Sequence, residues 1–310
     1  MEKLNLLLIG TGRWGSVIEK NLQSLEEVGQ VYTCTRDWKD FLEKTDIAGV
    51  IIATPPATHC EIALACIEKG LPVFIEKPMA LSSSEAHRIM GASESAGVPV
   101  QIGHIHLYNG AYSALKKAVK TYGPIRHIHT EGSNFGPYRS DYSVIWDYAS
   151  HDVSMVLDVV EESPNVVTAS ARALADSGTR NWDASHITLS FPSGVTADIA
   201  SSRISPSKVR KVTVVCDNAT LVYDDTLSEK KLAVYEGISP NALKKLGAGK
   251  ASLEATFPEY DTTSPLASEL REFVDVITKK IRPTSDSLLG ARIVNVLEQA
   301  EASVTSYDTI

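Results

Sequence analysis

Leu4-Asn-Leu-Leu-Leu-Ile-Gly-Thr-Gly-Arg-Trp-Gly15 decides the reading of this chain. A short apolar run ends in G-x-G-x-x-G at Gly10, Gly12 and Gly15, and apolar residues then recur at helical spacing at Trp14, Val17, Ile18, Leu22, Leu25 and Val28. Gly29 stands where that helix is expected to stop. The order is strand, glycine turn, helix. A helix N-terminus offers unpaired N–H groups and the positive end of its dipole to a pyrophosphate. Gly10 is expected to make the tight turn, Gly12 to let the backbone approach the phosphates, and Gly15 to let helix and strand pack closely. A bare glycine motif is weak, and a turn that binds nothing is the plain alternative. The flanking strand and helix favour a dinucleotide site that takes in Gly10, Thr11, Gly12, Arg13, Trp14 and Gly15.

The 310 residues suffice for two ordinary domains, and 43% hydrophobic with 22% charged residues is ordinary globular composition. A net charge of −8 without a Lys/Arg block argues against nucleic acid or an anionic membrane as a partner. No apolar run approaches the roughly 20 residues of a membrane span. The Leu6–Ile9 run is too short for a signal peptide. Cys34, Cys60, Cys66 and Cys216 form no C-x-x-C and read as buried thiols of a reducing cytoplasm.

Onward from the first helix, strand-like Val31–Arg36 precedes a short helical piece at Trp38–Leu42, and Ile47–Thr54 reads as a buried parallel strand. After the loop Thr54–His59, Thr58 and Glu61 have capping-box spacing for a helix ending near Gly70. Val73–Ile75 is a strand, Ser82 and Glu85 repeat the capping box for a helix to Ala96, and Val100–Gly103 follows. Strands alternating with helices give a Rossmann domain, an α/β doubly wound parallel sheet, over residues 1–103. Residues 104–310 read as an α+β domain with a largely antiparallel open sheet. Its strands are 125–132, 166–174, 185–191, 195–202, 209–216 and 221–223, with helices at 111–121 and 148–160. Residues 237–264 have little periodicity and read as a long loop or lid. Two C-terminal helices within 264–303 are expected to pack back on the first domain.

Four stretches in this order carry a resemblance: the glycine turn, Ala53-Thr-Pro-Pro-Ala-Thr-His59, Glu76-Lys77-Pro78, and Trp146-Asp147-x-x-x-His151-Asp152. Together they resemble the glucose–fructose oxidoreductase / inositol dehydrogenase / MocA family over nearly the whole chain. Asn134–Arg139 running into Val144–Asp152, and Ser202–Arg210 with Tyr223-Asp-Asp225, resemble the branch acting on nucleotide-linked sugars. The resemblance implies hydride transfer between NAD(P) and a sugar or nucleotide-sugar carbon. It also implies assembly through the open sheet of the second domain as a homodimer or homotetramer.

Alcohol oxidation needs a hydride acceptor and a base for the hydroxyl proton. A nicotinamide supplies the first. His151 is the natural second, since imidazole titrates near neutrality. Asp147 lies one helical turn earlier, on the same face, and is placed to orient the imidazole or hold a substrate hydroxyl. A lone helical histidine is otherwise structural. The resemblance implies that Lys77 bonds the reacting oxygen and the nicotinamide ribose, and that the Lys77–Pro78 bond is often cis; the plain alternative is a solvated loop lysine. Thr54, Pro55 and His59 are expected to border the cofactor, as are Glu76 and His104, although His59 fits helix-end polarity equally well. Tyr108, Asn134, Arg139 and Trp146 are substrate-side candidates by resemblance. His104/His106 and His127/His129 are H-x-H pairs without an obvious third ligand, so no metal is expected.

Only 37 residues separate Gly15 from Ala53, about one strand fewer than the family fits there. The acid expected some 20 residues past the glycines is absent, and Thr35-Arg36 stands in its place. If Val31–Cys34 is the second strand, Arg36 meets a 2′-phosphate; if it is the third, the adenosine pocket is truncated. NAD and NADP both stay open. A second departure is Arg203, where the resembling branch often carries tryptophan. A non-catalytic dinucleotide-binding regulator and a reductase of a non-sugar substrate stand as alternatives, since fold alone does not set chemistry.

Overall fold

The structure, a computed structural model, describes residues 3–43, 46–136, 142–175, 181–246 and 253–304. It divides into two compact units, Met1–Tyr108 with Thr263–Asn295, and Asn109–Thr262 with Val296–Ile310.

In the first unit, strands β1 (Leu4–Ile9), β2 (Val28–Cys34), β3 (Ile47–Ile52), β4 (Val73–Glu76) and β5 (Val100–Gly103) form a parallel sheet in the order β2-β1-β3-β4-β5. Leu6 to Ile9 and Val50 to Ile52 are fully enclosed, as strands covered on both faces must be. The covering helices are α1 (Arg13–Leu22), α2 (Trp38–Leu42), α3 (His59–Glu68) and α4 (Ser83–Ala96). Ser82 caps α4 as expected, its hydroxyl accepting from Glu85 N at 3.2 Å.

Three local expectations change. Helix α1 ends at Leu22, so Gly29 lies inside β2 rather than at a helix stop. Its reason is space: a Cβ there would sit 2.8 Å from the Asn5 carboxamide, whose oxygen accepts from Gln30 N at 2.9 Å. Thr58 does not cap α3. Pro56–Thr58 forms a 3-10 turn that runs straight into the helix, and the Thr58 hydroxyl turns back to Pro55 O at 2.8 Å. The missing strand is also identified. β2 pairs with β1 on one side and β3 pairs with β1 on the other, so β2 is the second strand of the doubly wound order, and among the described residues no strand takes the third place. Five-residue α2 occupies the shortened link.

In the second unit, β6 (Ile125–Phe135), β7 (Val166–Arg172), β8 (Ala184–Ser190), β9 (Thr196–Ser202), β10 (Ile204–Cys216), β11 (Thr220–Asp224) and β12 (Leu232–Tyr235) form one sheet in the order β12-β11-β10-β6-β9-β8-β7. Only β6 and β9 run parallel, so the sheet is largely antiparallel. One face buries Ile128, Ile187, Leu189, Ala197, Ile199, Val212 and Val214. The other carries Thr213, His129, Asp198, Thr188 and Thr168 in one register row, all of them polar. Helices α5 (Gly110–Val119) and α6 (Ser150–Val160) belong to this unit, as does α7 (Pro240–Leu246). The stretch read as a loop or lid thus contains α7, and Thr256 bridges to Val234 of β12.

The chain continues into α8 (Pro265–Lys279) and α9 (Ser287–Ser303). Leu266, Leu270, Phe273 and Val274 of α8 join the first unit's core with Leu6, Leu8, Ile18, Leu22, Ile51 and Phe74. Among the described residues no helix is long and apolar enough to cross a membrane. All four cysteines are reduced and buried, and burial pushes the Cys66 thiol up to about 12.

Candidate active site

In the first unit the site is built where the strands end. Gly10 N donates to Cys34 O at 2.9 Å and Ala53 N to Ile9 O at 2.8 Å, so the ends of β2, β1 and β3 are tied side by side. β2 and β3 flank β1 from opposite sides, which makes the gap beyond β1 and β3 the switch point where such sheets bind ligands. The three glycines there have three different reasons. Gly10 has φ +107°, and a Cβ on it would lie 2.5 Å from Ala53 O. A Cβ on Gly15 would collide with Gly10 O, so helix and strand need it bare. Gly12 has φ −66°, ψ −176°, which any residue adopts, and a Cβ there meets nothing within 4 Å. Nothing among the described residues requires glycine at position 12, whereas a ligand lying against the turn would. No side chain caps α1 and no acid sits in its first turn, so its N–H groups face that same space. These residues fit a dinucleotide.

Glu76, Lys77 and Pro78 follow at the end of β4, with a cis peptide between Lys77 and Pro78. Glu76 is buried, and the Trp14 indole N–H donates to its Oε1 at 2.6 Å. Gly103 gives this carboxylate room, since a Cβ there would sit 3.1 Å from it. Burial raises the Glu76 carboxyl to about 7, against the Trp14 bond and the Lys77 charge, which favour ionisation. Glu76 and Trp14 thereby join the glycine turn to the Lys77 loop. His59 does the same for the loop after β3. It is fully enclosed, with Nδ1 3.0 Å from Pro78 O and Nε2 2.9 Å from Thr54 O. It is a strut between two loops: each ring nitrogen lies within hydrogen-bond distance of a backbone carbonyl, and the one that carries the proton donates. His104, just past β5, is buried and held neutral, its pKa lowered to about 3 by burial and then by Lys77. Its Nδ1 has no hydrogen-bond partner among the described residues. Thr11, Arg13, Thr35, Arg36 and Pro55 are exposed, and Thr54 and Lys77 half-buried.

Behind this rim lies a polar cluster that sequence periodicity does not reveal. Gln101 Nε2 donates to Tyr108 Oη at 3.1 Å and to Glu269 O at 3.0 Å. Tyr108 Oη donates to Glu272 at 2.6 Å. Both carboxyl oxygens of buried Glu269 lack a partner among the described residues. Burial, then the Glu76 and Glu272 charges, raises its pKa well above the usual carboxylate range, so Glu269 is a neutral acid. The folded protein therefore keeps a proton that the unfolded chain releases above about pH 4.3. That costs stability progressively as pH rises from there. Glu269→Gln, a neutral mimic, is expected to raise the Tm by about 3 °C or more at pH 8 and by nothing at pH 4. Calorimetric melts across pH check this, and a gain independent of pH would contradict a protonated Glu269.

In the second unit Asp147 and His151 lie on one continuous helical run. Ile145–Ala149 is a π turn that leads directly into α6. Such widened turns recur at functional sites, because they re-aim side chains that a regular helix would stack. Asp147 sits within the π turn and is buried; His151, in the first turn of α6, is half-buried. Beneath them Asp152 is fully enclosed, with Arg210 Nη1 3.3 Å from its Oδ2, and burial raises it to about 6. A Cβ on Gly132 would strike both partners of that pair, so β6 carries glycine beside it.

The NAD-binding Rossmann domain of the GFO/IDH/MocA oxidoreductases matches residues 11–104, and the family's C-terminal domain matches residues 112–222. A solved structure from Magnetospirillum magnetotacticum MS-1, assigned to the oxidoreductases, is 32% identical and covers 96% of this chain and all of its own, with a TM-score of 0.83. The chain belongs to the GFO/IDH/MocA family. UDP-N-acetylglucosamine 3-dehydrogenase of Acidithiobacillus ferrooxidans is 23% identical over 94% of this chain and 90% of its own, and its structure superposes with a TM-score of 0.83. GenD2 from gentamicin A biosynthesis, solved in complex with NAD, is 20% identical, covers 99% of this chain and 95% of its own, and has the same TM-score.

Against this family frame, several substrate-side expectations change. Tyr108, a substrate-side candidate, is bonded to Glu272 and Gln101, and burial raises its phenol well above the usual range. Trp146 is buried, its indole N–H donating to Glu301 at 2.9 Å. Asn134 is exposed near the end of β6. Arg139 lies outside the described residues. Arg203, the departure from the family pattern, is buried and donates to Asp183 at 2.8 Å, Asn181 at 2.6 Å and Trp182 O at 2.8 Å. It fastens the segment after β7 and is not available to a substrate. His127 lies 2.9 Å from the Thr196 hydroxyl and 3.5 Å from Asp198, and His104 and His106 are not on a strand. Among the described residues no group of three ligands is placed to hold a metal.

Proposed function

We propose that this protein is an NAD(P)-dependent oxidoreductase that moves a hydride between the nicotinamide and a hydroxyl or keto carbon of a sugar or nucleotide sugar. The observation that carries the reading is Gly12, bare where only a ligand explains it, in a chain that also carries Asp147 and His151 on a π-to-α helical run. The nicotinamide, when bound, accepts or supplies the hydride. Gly10, Gly12 and the first turn of α1 hold the pyrophosphate; Trp14 and Glu76 keep the Lys77 loop in place. Lys77 places a positive charge near an oxygen that becomes an alkoxide, which lowers the barrier. His151 takes the hydroxyl proton, with Asp147 orienting it. The alternative of a non-catalytic regulator draws on the missing third strand, and the retention of Lys77, Asp147 and His151 speaks against it.

The test is to denature the purified protein, identify the nicotinamide nucleotide released, and assay turnover against UDP-sugars, free sugars and inositols. Nucleotide binding without turnover on any of them would favour the regulator or a non-sugar substrate. The four buried thiols suit a reducing cytoplasm. We further propose a homodimer or homotetramer formed through the outer face of the second sheet. Light scattering at micromolar concentration should return at least twice the 33.6 kDa chain mass, and a monomer mass would refute it.

A further inference from the structure

The end of β2 decides which dinucleotide the turn takes. β2 is the second strand of the sheet, and Gly10 N bonds the carbonyl of its last residue, Cys34, at 2.9 Å. Residues 35 and 36 therefore leave the sheet directly beside the glycine turn. An enzyme for NAD places an acid at that strand end to bond the ribose 2′-hydroxyl. Here the first residue past the strand is Thr35, which is uncharged, and the second is Arg36. The nearest acid, Asp37, lies one residue further on, at the start of α2.

Arg36 is exposed and has neither an ion pair nor a hydrogen bond among the described residues. Arg13, at the start of α1, is in the same condition. That separates them from Arg126, Arg203, Arg210, Arg271 and Arg282, each paired with an acid. The neighbouring cation Lys39 is also engaged, 3.1 Å from Glu61 and over the Trp38 ring. Two unpaired guanidinium groups therefore flank one glycine turn. A guanidinium presents paired donors to a phosphate.

We propose that the protein selects NADP(H) over NAD(H), with Arg36 gripping the adenosine 2′-phosphate, Thr35 adding a hydroxyl donor and Arg13 supplying a second positive charge. This rests on the cofactor reading above. The 2′-phosphate is the only group by which the two nucleotides differ, so the selectivity belongs to these residues and not to the glycines.

The experiment is calorimetric titration of the full chain with NADPH and with NADH at low and at moderate salt. NADPH is expected to bind about ten- to a hundredfold more tightly, the worth of a charge-assisted contact. Raising the salt should erode the NADPH affinity more than the NADH affinity, because the pair is exposed. Arg36→Ala should remove most of the preference while leaving the NADH affinity unchanged, and Arg36→Lys should restore part of it. Equal or tighter binding of NADH by the unaltered protein would overturn the proposal. So would an Arg36→Ala variant that weakens both nucleotides alike. Binding of neither nucleotide would overturn the cofactor site itself and this inference with it.

Discussion

His151→Ala is expected to lower kcat for sugar oxidation by about 10²–10⁴-fold, the usual worth of a positioned general base. The base must be neutral to take the hydroxyl proton, so oxidation by the unaltered enzyme should fall as pH drops. The midpoint of that fall belongs to the charged groups acting together rather than to one residue. Asp152 complicates its reading. It adjoins His151, is fully enclosed, and is raised by burial to about 6, so its protonation overlaps the range where a histidine titrates. Losing the Asp152 charge would loosen Arg210 and disturb α6 without any chemical role. The His151 variant separates the two effects. If His151 is the base, the acid limb disappears with it, and the residual rate is flat in pH until the protein unfolds. If the limb reflects Asp152, it survives in His151→Ala and vanishes in Asp152→Asn. Cofactor affinity should change by less than about twofold, since His151 lies outside the unit that carries the glycine turn. A His151→Ala enzyme with near-full kcat across the pH range would make His151 structural and return the proton to Lys77.

The parts of the site that sequence made visible are those built from neighbours in the chain. The glycine turn, the Ser82 cap and the Asp147–His151 spacing each span a handful of residues, and each has a local physical signature. The strands of both sheets were legible for the same reason, since burial of one or both faces writes a period into the residues; the exception is the four-residue edge strand β12, which no expectation covered. What stayed hidden are polar contacts between residues far apart in sequence. Nothing in the hydropathy near His59 shows that its ring is wedged between the carbonyls of Thr54 and Pro78. Nothing near Trp146 points to Glu301, or near Tyr108 to Glu272. Tyr108 and Trp146 were candidates by the resemblance, and His59 by its place at a strand's C-terminal end. Their partners sit on elements whose packing only the fold reveals. Glu269 is the sharpest case. On α8 it reads as one more acid of a surface helix, yet it is fully enclosed beside Gln101. The missing third strand shows the converse. Its absence was visible as a short count of residues, but only the pairing of β2 with β1 says which strand was lost.

Gly12→Val is expected to weaken nicotinamide-nucleotide binding at least tenfold and to leave folding intact, and the reason lies in what the three glycines do not share. At Gly10 a side chain meets both a left-handed backbone and the Ala53 carbonyl, so a substitution there would test folding as much as binding. At Gly15 the collision is with Gly10 O, and the helix would have to leave the sheet. At Gly12 the backbone is ordinary and the space in front is open, so valine fits the protein without strain. Its branched side chain then stands where the pyrophosphate approaches the N–H groups of α1. Displacing the phosphates forfeits several charge-assisted contacts at once, each worth about 1.5–3 kcal/mol, so tenfold is the lower bound of the loss. Circular dichroism and a melting temperature within about 2 °C of the unaltered protein would establish the fold, as surface substitutions away from packing contacts seldom move stability by more than about 0.5 kcal/mol. NADH and NADPH should both be weakened, because both carry the same pyrophosphate. Undiminished affinity for both by calorimetry would remove the glycine turn from the site, and with it the explanation of why position 12 carries no side chain.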